Sequence, residues 1–383
     1  MQRREFLKHG TMAGALAATG NLAGARAASA EPTADVAPTE LEARLDSQAF
    51  CLAAYDDITP AHAFRATDAA SAKRWQRRAR QRLLDRIGGL PTTRVPLNAE
   101  VVSTADFGGY TREKVVFDTR AHLSAVGYLL LPTEGRRPLP AIVALPGHGR
   151  GVADIMGFGV DETPSGQRGV GYAKEYALQC VEHGYAVLAL EQLGFGMRRD
   201  AAARRAGPTE NSCRPAACAA LLFGQSMLGW RVWDAMRAID YLQSRPEVDG
   251  RRIATLGASS GGTTSLFTAA LDGRVKAAVV SAYFNTFRDS IVQISHCPDN
   301  YVPGLLHDME MADVAGLVAP RALFVESGRA DHIFPIAGFD RAAATGRRIY
   351  DAFGATDRFG SAVHDGGHEF NGVAAFQFLS RTL

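Results

Sequence analysis

Short, continuously apolar runs alternate with helix-like segments over the last two thirds of the chain, and this pattern constrains the fold more than any other feature. The clearest runs are PAIVAL, YAVLAL, RIATLG, VKAAVVS and RALFVES. A strand that is apolar at every position must be covered on both faces, as in the middle of a mostly parallel sheet flanked by helices. An apolar-faced helix is predicted from Met227 to Ser244, between two of these runs. The sequence therefore predicts an α/β fold.

Composition excludes several other classes of protein. The chain has 383 residues, 46% of them hydrophobic and 21% charged, which is typical of a globular protein with a large core. Its formal net charge is only +2, and no stripe of basic and aromatic residues follows the sequence. Nucleic acid is therefore not expected as a partner.

Two adjacent serines follow the run RIATLG, in the stretch TLGASSGG. Gly257 and Gly261 stand two residues before and two after Ser259, as in the G-x-S-x-G turn that exposes a nucleophilic serine between a strand and a helix. In the competing frame Ser260 is the nucleophile, but Ala258 then replaces the first glycine. The pattern favours Ser259, and a glycine-rich turn without catalytic function is the alternative interpretation.

An acid and a base with the appropriate order follow the serines. Asp331 comes after the apolar run ALFVES, and His368 comes after the final strand-like run. The order Ser, Asp, His along the chain is that of a triad at the end of such a sheet. Rival candidates are His332, His364 and Asp365, for which a surface or supporting position is the simpler interpretation.

With these residues in place, the chain from about residue 110 to its end resembles the α/β-hydrolase superfamily, and within it the acetyl xylan esterase and dienelactone hydrolase branch. The stretches that carry the resemblance are PAIVALPGHGRG, SRPEVDGRRIATLGASSGG, APRALFVESGRADHIFP and HDGGHEF. The resemblance implies an α/β-hydrolase fold with Ser259 as nucleophile, Asp331 as acid and His368 as base. Dienelactone hydrolases resemble it with a cysteine at this turn, so the serine favours ester cleavage.

Further site residues are predicted around this triad. The backbone N–H of Ser260 is expected to stabilise an oxyanion, together with that of His148 or, in another alignment of PGHG, a donor nearer Arg150. His148, Glu191 and His296 are candidate substrate-binding residues.

Neither a metal nor a cofactor is expected. A metal site among acidic residues and histidines of the segment 285–313 is the less favoured alternative, since acidic side chains there can serve as helix-end partners. The residues considered for it are His296, His307, Asp308, Glu310 and Asp313.

The N-terminus has the pattern of an export signal. MQRREFLKHG resembles a twin-arginine signal, with Arg3 and Arg4 before an apolar run and Ala28-Ser29-Ala30 as a cleavage site. An uncleaved membrane anchor is the alternative, but the apolar run is shorter than the ~20 residues of a span. We therefore expect a periplasmic or secreted protein without a stable membrane anchor.

Three regions are predicted along the chain: a signal at 1–30, a helical N-terminal segment at 31–110 that packs on the core, and a hydrolase domain at 111–383. Within the second, Trp75, Ala79 and Leu83 recur every fourth residue, which indicates an amphipathic helix with arginines on a solvated face rather than in an anion site. The domain has long insertions near 198–224 and 285–313. Loops of that length inside a compact domain usually carry function.

The five cysteines do not form a disulfide framework or a zinc pattern. Cys213 and Cys218 are close enough in sequence to form one local disulfide, and Cys180 has the pattern of a small core residue. Cys51 and Cys297 complete the set.

The expected function is hydrolysis of short acyl esters of carbohydrates through an acyl-enzyme. A lactonase or peptidase that uses the same triad is one alternative, and a non-catalytic binding protein with this fold is the other.

The export signal gives a direct test. Changing Arg3 and Arg4 together to lysine should leave folded precursor in the cytoplasm, because the twin-arginine pair is what the export machinery reads. Fractionation and immunoblotting measure the outcome, and an unchanged periplasmic yield would contradict the prediction.

Overall fold

Nine strands form one mixed sheet in the order β1-β2-β3-β5-β4-β6-β7-β8-β9. The computed structural model describes residues 39–159, 162–166 and 168–383, so the predicted export signal lies outside the described residues. The strands are β1 Glu100–Asp106, β2 Tyr110–Arg120, β3 Leu123–Pro132, β4 Leu139–Leu145, β5 Ala186–Leu190, β6 Val248–Ala258, β7 Val275–Ser281, β8 Ala322–Gly328 and β9 Phe359–His364. Strands β4 to β9 pair in parallel, whereas β1, β2 and β3 pair antiparallel.

Helices cover both faces of this sheet. The α-helices of the described chain, in sequence order, are α1 Glu40–Leu45, α2 Ser47–Asp56, α3 Ala69–Arg86, α4 Val152–Met156, α5 Tyr176–Glu182, α6 Ala201–Ala206, α7 Cys213–Leu222, α8 Met227–Gln243, α9 Ser260–Leu271, α10 Met311–Gly316, α11 Ile336–Ala352 and α12 Val373–Thr382. The unit Ser47–Leu383 contains the whole sheet, while α1 belongs to a separate unit that ends at Asp46. In α1, Thr39 and Glu42 form a capping box at the N-terminus.

The packing of strand β4 explains why its sequence is apolar at successive positions. Ala141, Val143 and Leu145 face a core that contains α8 and α9, whereas Ile142 and Ala144 face a second core that contains α5 and α12. Because successive side chains of a strand point to opposite faces, both sets must be apolar. The predicted α/β architecture, a mostly parallel sheet between helices, is confirmed.

The predicted helices at 227–244 and around Trp75 are present as α8 and α3. One strand was not predicted: β1 lies within the segment 31–110 and extends the sheet at its edge. Almost all of its residues are exposed, so it lacks the apolar signal of a buried strand.

The arginines of α3 do not form a purely solvated face. Arg80 donates to the backbone carbonyls of Ala270 and Leu317, and Arg82 and Arg86 both pair with Asp308. The remaining arginines, Arg74, Arg77 and Arg78, are exposed. Half of this cationic face therefore holds α3 against the rest of the unit.

The two predicted insertions are largely helical. The segment 198–224 carries α6 and α7, and the segment 285–313 carries three short helical turns before α10 begins. Within the described part of the chain, every helix is too short or too polar to cross a bilayer.

Gln76 gives a test of how α3 is anchored. Its side-chain amide is buried and donates to the carbonyls of Gly316, Leu317 and Ala319 at the end of α10. Replacement by alanine removes the side-chain donor of the Gly316 and Ala319 carbonyls, whereas Leu317 keeps Arg80, so Gln76→Ala should lower the free energy of unfolding by about 1–3 kcal/mol.

Gln81→Ala is the matched control on the same helix, because Gln81 is exposed and bonds only to Asp85. Its effect in urea denaturation should stay within about 0.5 kcal/mol. Equal effects of the two substitutions would contradict the anchoring role.

Candidate active site

Ser259 lies at a strained turn between β6 and α9. Its φ of 57° and ψ of −128° lie outside the regions that a serine ordinarily adopts. A Cβ at Gly257 would overlap the backbone of Gly261, and a Cβ at Gly261 would overlap the carbonyl of Leu145. Both glycines of the G-x-S-x-G pattern are therefore required by close backbone packing, as the sequence predicted.

Asp331 and His368 are in direct contact. His368 Nδ1 lies 2.8 Å from Asp331 Oδ2, so the ring donates its Nδ1 proton to the carboxylate. The other oxygen, Oδ1, accepts the backbone N–H groups of Ile333 at 2.9 Å and Phe334 at 3.0 Å. The Phe334 ring also stacks on the His368 imidazole, with centroids 5.7 Å apart. These contacts fix the position and the tautomer of the imidazole.

The rival candidates lie elsewhere. His332 is exposed, and Asp365 is exposed and pairs with Arg329 at 3.5 Å. His364 ends β9, as expected, and its Nδ1 accepts the backbone N–H of Gly366. None of the three contacts the His368–Asp331 pair through a hydrogen bond in the described structure.

Ser259 and His368 open onto one cleft of about 380 Å³. The other residues that line it are His148, Tyr172, Ile294, Ser295, His296, Cys297 and Ile333. The cleft thus brings together the predicted nucleophile, the predicted base and two of the three predicted substrate-binding residues. His148 and Ser295 come from distant parts of the chain, one after β4 and the other within the segment 285–313.

The turn after β4 lies directly against the nucleophile. A Cβ at Gly147 would come within 3.0 Å of the Ser259 Cβ, so only glycine fits there without displacement. The Gly147 N–H donates to the Tyr172 hydroxyl at 2.8 Å, and the Arg150 N–H donates to Asp154 at 2.7 Å. The Arg150 amide is therefore already bonded, which favours the His148 N–H as the second oxyanion donor.

The Ser260 side chain has a different environment from that of Ser259. It is buried, accepts from Arg231 Nη1 at 2.7 Å and donates to Asp299 Oδ2 at 2.8 Å. Asp299 also pairs with Arg231 and accepts from the Asn300 amide at 2.8 Å. The Ser260 hydroxyl is thus one bond in a buried network beneath the turn.

The charges of this network are internally balanced. Burial alone would raise the pKa of Asp299, but the nearby Arg231 and His148 outweigh it and hold that pKa at about 2. Burial would likewise lower the pKa of His148, but Cys213 and Asp299 beside the ring raise it overall. Neither Arg231 nor Asp299 was predicted from the sequence as a site residue; an arginine on the otherwise apolar face of α8 was the available signal.

The local disulfide between Cys213 and Cys218 that the sequence left open is not formed in this structure. Cys213 is buried and Cys218 is exposed on the same helix, and all five thiols are free. Instead, Cys213 lies beside Cys297 in a cluster with His148 and Asp299, whose potential ligand atoms all lie within 4.8 Å of one another. These are the residues that could hold a metal ion, but the Arg231 guanidinium donates to both Cys213 Sγ, at 3.2 Å, and Asp299.

The acidic residues of the earlier metal hypothesis have structural roles. Asp308 pairs with Arg82 and Arg86, and Glu310 and Asp313 form the capping box of α10. His307 ends a short helical turn, while His296 alone reaches the cleft. The structure therefore does not bring these five residues together.

Glu191 is also not in the cleft. Its carboxylate is 2% exposed, accepts the backbone N–H of Val152 at 3.2 Å and packs against Gly151 and Gly196. It therefore connects the turn after β5 to the turn that carries His148, and it lines a cavity of about 570 Å³ that is separate from the cleft of Ser259 and His368.

Comparison with known proteins identifies the family of the chain. The model of a family described as the Abhydrolase family matches residues 42–343, well over half of the 383 residues. The chain belongs to the Abhydrolase family. The predicted relationship to the α/β hydrolases is therefore confirmed at the level of the family.

The individual relatives of this abhydrolase share only a low sequence identity with it. The Bacillus subtilis protein YtaP, named as a hydrolase, is 28% identical over 316 residues, which are 79% of this chain and 98% of that protein. A Bacteroides fragilis structure named as an acetyl xylan esterase is 18% identical, with a TM-score of 0.72 over 84% of this chain and 82% of the other. A glucuronoyl esterase from Solibacter usitatus is 20% identical, with a TM-score of 0.61 over 85% and 98%. The two structures establish a shared fold.

Glu191 of the abhydrolase should make stability depend on pH. Burial raises its pKa from 4.5 to about 7. The folded state then keeps a proton that the unfolded chain has already released, so this group's contribution is complete below about pH 4.5 and is lost as pH rises through 7.

Glutamine does not ionise, so Glu191→Gln should remove the loss of stability that the ionisation of Glu191 causes. The decrease in unfolding free energy between pH 5 and pH 8 should then be smaller by about 2 kcal/mol than in the wild type. Urea denaturation at the two pH values measures it. Exposed Glu210→Gln is the control, and an unchanged pH dependence in Glu191→Gln would show that Glu191 is ionised throughout.

Proposed function

We propose that this abhydrolase is a serine hydrolase of carboxylic esters, with short acyl esters of carbohydrates, acetyl esters above all, as its substrates. The observation that carries the proposal is the common cleft: Ser259 at a strained turn and the Asp331-bound ring of His368 both open onto it. A serine hydroxyl becomes an effective nucleophile only beside a base that is itself oriented by an acid.

Each residue then has a defined role. Ser259 Oγ attacks the ester carbonyl while His368 Nε2 accepts its proton, and the same proton is returned to the departing alcohol. Asp331 holds the imidazole through Nδ1 and stabilises the imidazolium that forms. Water, activated by His368, hydrolyses the acyl-enzyme in the second half of the reaction.

The oxyanion lies between two backbone donors. Ser260 begins α9, where its N–H points out of the first helical turn, and Gly147 holds the His148 turn against Ser259. In the described structure neither the Ser260 nor the His148 N–H donates to another group within the protein. Donors that are free before the reaction need no reorganisation when the charge develops.

Two adjoining cavities support an acyl site and an alcohol site. The triad cleft, of about 380 Å³, shares Ser295 and His296 with a larger cavity of about 600 Å³ that Arg214 and Tyr301 help to line. A small acyl group fits the first and a sugar fits the second, where the half-exposed Tyr301 ring can pack on a sugar face. The carbohydrate part of the proposal also draws on the names of the two structural relatives, and export, which would bring the enzyme to such substrates, rests on Arg3 and Arg4.

The two serines separate this mechanism from its alternatives. Ser259→Ala removes the group that forms the acyl-enzyme, so kcat with an aryl acetate should fall on the order of 10⁶-fold. Ser260→Ala keeps the backbone N–H, so turnover should fall about tenfold or less. The same variant should unfold more readily, because Arg231 and Asp299 lose a hydrogen-bond partner.

A fluorophosphonate probe with peptide mapping checks the assignment. The adduct should form on Ser259 and disappear in Ser259→Ala alone; an adduct on Ser260 would contradict the mechanism. A chain that neither reacts with the probe nor turns over any ester is a binding protein, and faster cleavage of lactones or peptides than of acetylated sugars would identify the other hydrolase classes.

A further inference from the structure

Two cysteines from distant parts of the chain meet beside the cleft. Cys213 begins α7 and is buried, whereas Cys297 lies after β7, is half-buried and lines the cleft. Their sulfur atoms lie within 4.8 Å of each other. A pair in such contact needs only a small side-chain movement to reach bonding distance.

The pair joins two segments that no strand pairing holds. One is the segment 198–224 and the other is the segment 285–313, which carries His296 and Asp299. A bond between residues 213 and 297 would close a loop that spans α8, β6, the nucleophile turn and β7. Such a bond would restrict the unfolded chain and fix the wall of the cleft.

We propose that Cys213 and Cys297 form a disulfide that fastens α7 to the segment carrying His296 and Asp299. The reaction takes its oxidant from outside the protein, as a small-molecule or protein disulfide that reaches Cys297 through the cleft. Cys297 Sγ displaces one thiol of the oxidant, which takes up the Cys297 proton, and forms a mixed disulfide. The Cys213 thiolate then attacks Cys297 Sγ and displaces the second thiol, so two protein thiols are oxidised as one disulfide is reduced to two thiols.

The surroundings favour this second step. The Arg231 guanidinium donates to Cys213 Sγ at 3.2 Å, and His148 Nε2 lies 3.9 Å from the same sulfur. The guanidinium stabilises the thiolate form of Cys213, and it remains in place after Cys297 has lost its proton in the mixed disulfide. A thiolate is the form of cysteine that attacks a disulfide.

The same surroundings disfavour a metal ion. A divalent cation bound by Cys213 and Asp299 would lie next to the buried guanidinium of Arg231, which already bonds to both. Asp299 Oδ2 also accepts the Ser260 hydroxyl, and Oδ1 accepts the Asn300 amide, so its lone pairs are largely used. Replacing that network would leave a cation against a cation in a desolvated site.

Alkylation mass spectrometry tests the proposal without any assay of activity. The full chain is incubated in a buffer with excess oxidised glutathione, denatured without reductant and treated with N-ethylmaleimide. Cys51, Cys180 and Cys218 should each carry N-ethylmaleimide or glutathione, and a peptide pair linked through Cys213 and Cys297 should appear. Dithiothreitol before denaturation should raise the number of cysteines that carry N-ethylmaleimide to five.

Five cysteines that each carry N-ethylmaleimide or glutathione under oxidising conditions would overturn the proposal, as would a linked peptide that contains Cys218. One zinc ion per chain, retained on gel filtration and released when Cys213 and Cys297 are replaced, would overturn it in favour of a metal site.

Thermal unfolding supplies a second measurement. Dithiothreitol should lower the Tm of the oxidised protein by about 4 °C and leave the Cys213→Ser, Cys297→Ser double variant unchanged. Cys218→Ser, on the same helix but exposed, is the matched control and should respond to dithiothreitol as the wild type does. If the double variant does not fold, the linked peptide in the wild type still decides the question.

Discussion

The functional geometry depends on one close backbone contact. Where β6 passes into α9, Gly261 packs against the carbonyl of Leu145 at the end of β4, with no space between them for a Cβ. Gly147, two residues after Leu145, packs against Ser259 in the same way. This contact places the nucleophile turn and the His148 turn side by side, because β4 and β6 are parallel neighbours whose carboxyl ends meet at one edge.

A buried polar network supports this contact from below. Arg231 from α8 and Asp299 from the segment 285–313 neutralise each other, and Ser260 bonds to both. A buried charge without its partner would be costly, so neither member of the pair can be changed alone without loss. The network explains why a second serine follows the nucleophile: its hydroxyl is a structural hydrogen-bond partner, while its backbone N–H remains available to an oxyanion.

The two long insertions build the wall of the cleft from opposite directions. Residues Ile294 to Cys297 line the triad cleft, and α7 lines the larger cavity beside it. Ser259, Asp331 and His368 lie beyond the ends of strands of the sheet, whereas the insertions line the two cavities beside them. Variation of substrate among proteins of this fold is expected in such segments, since the sheet itself does not reach them.

Local patterns in the sequence were sufficient to predict the buried strands of the sheet, the helices α3 and α8, and the turn around Ser259. Continuous apolar runs require burial on both faces, and glycines at fixed positions around Ser259 are required by contacts within a few residues of it or against a neighbouring strand. The order of Ser259, Asp331 and His368 follows from the ends of successive strands in the same way. The exposed edge strand β1 gave no comparable signal, because its side chains are not buried.

Only the tertiary structure decided the partners of the buried polar groups. Arg231 and Asp299 are 68 residues apart in the sequence. Cys213 and Cys297 are also distant in the sequence, and so are α3 and Asp308. An ion pair or a thiol pair of this kind has no periodicity, and it exists only after helices from different parts of the chain have packed. For the same reason, only the structure shows that the side chains of Glu191 and Ser260 support the turns around the site. The sequence alone placed both residues at the site itself.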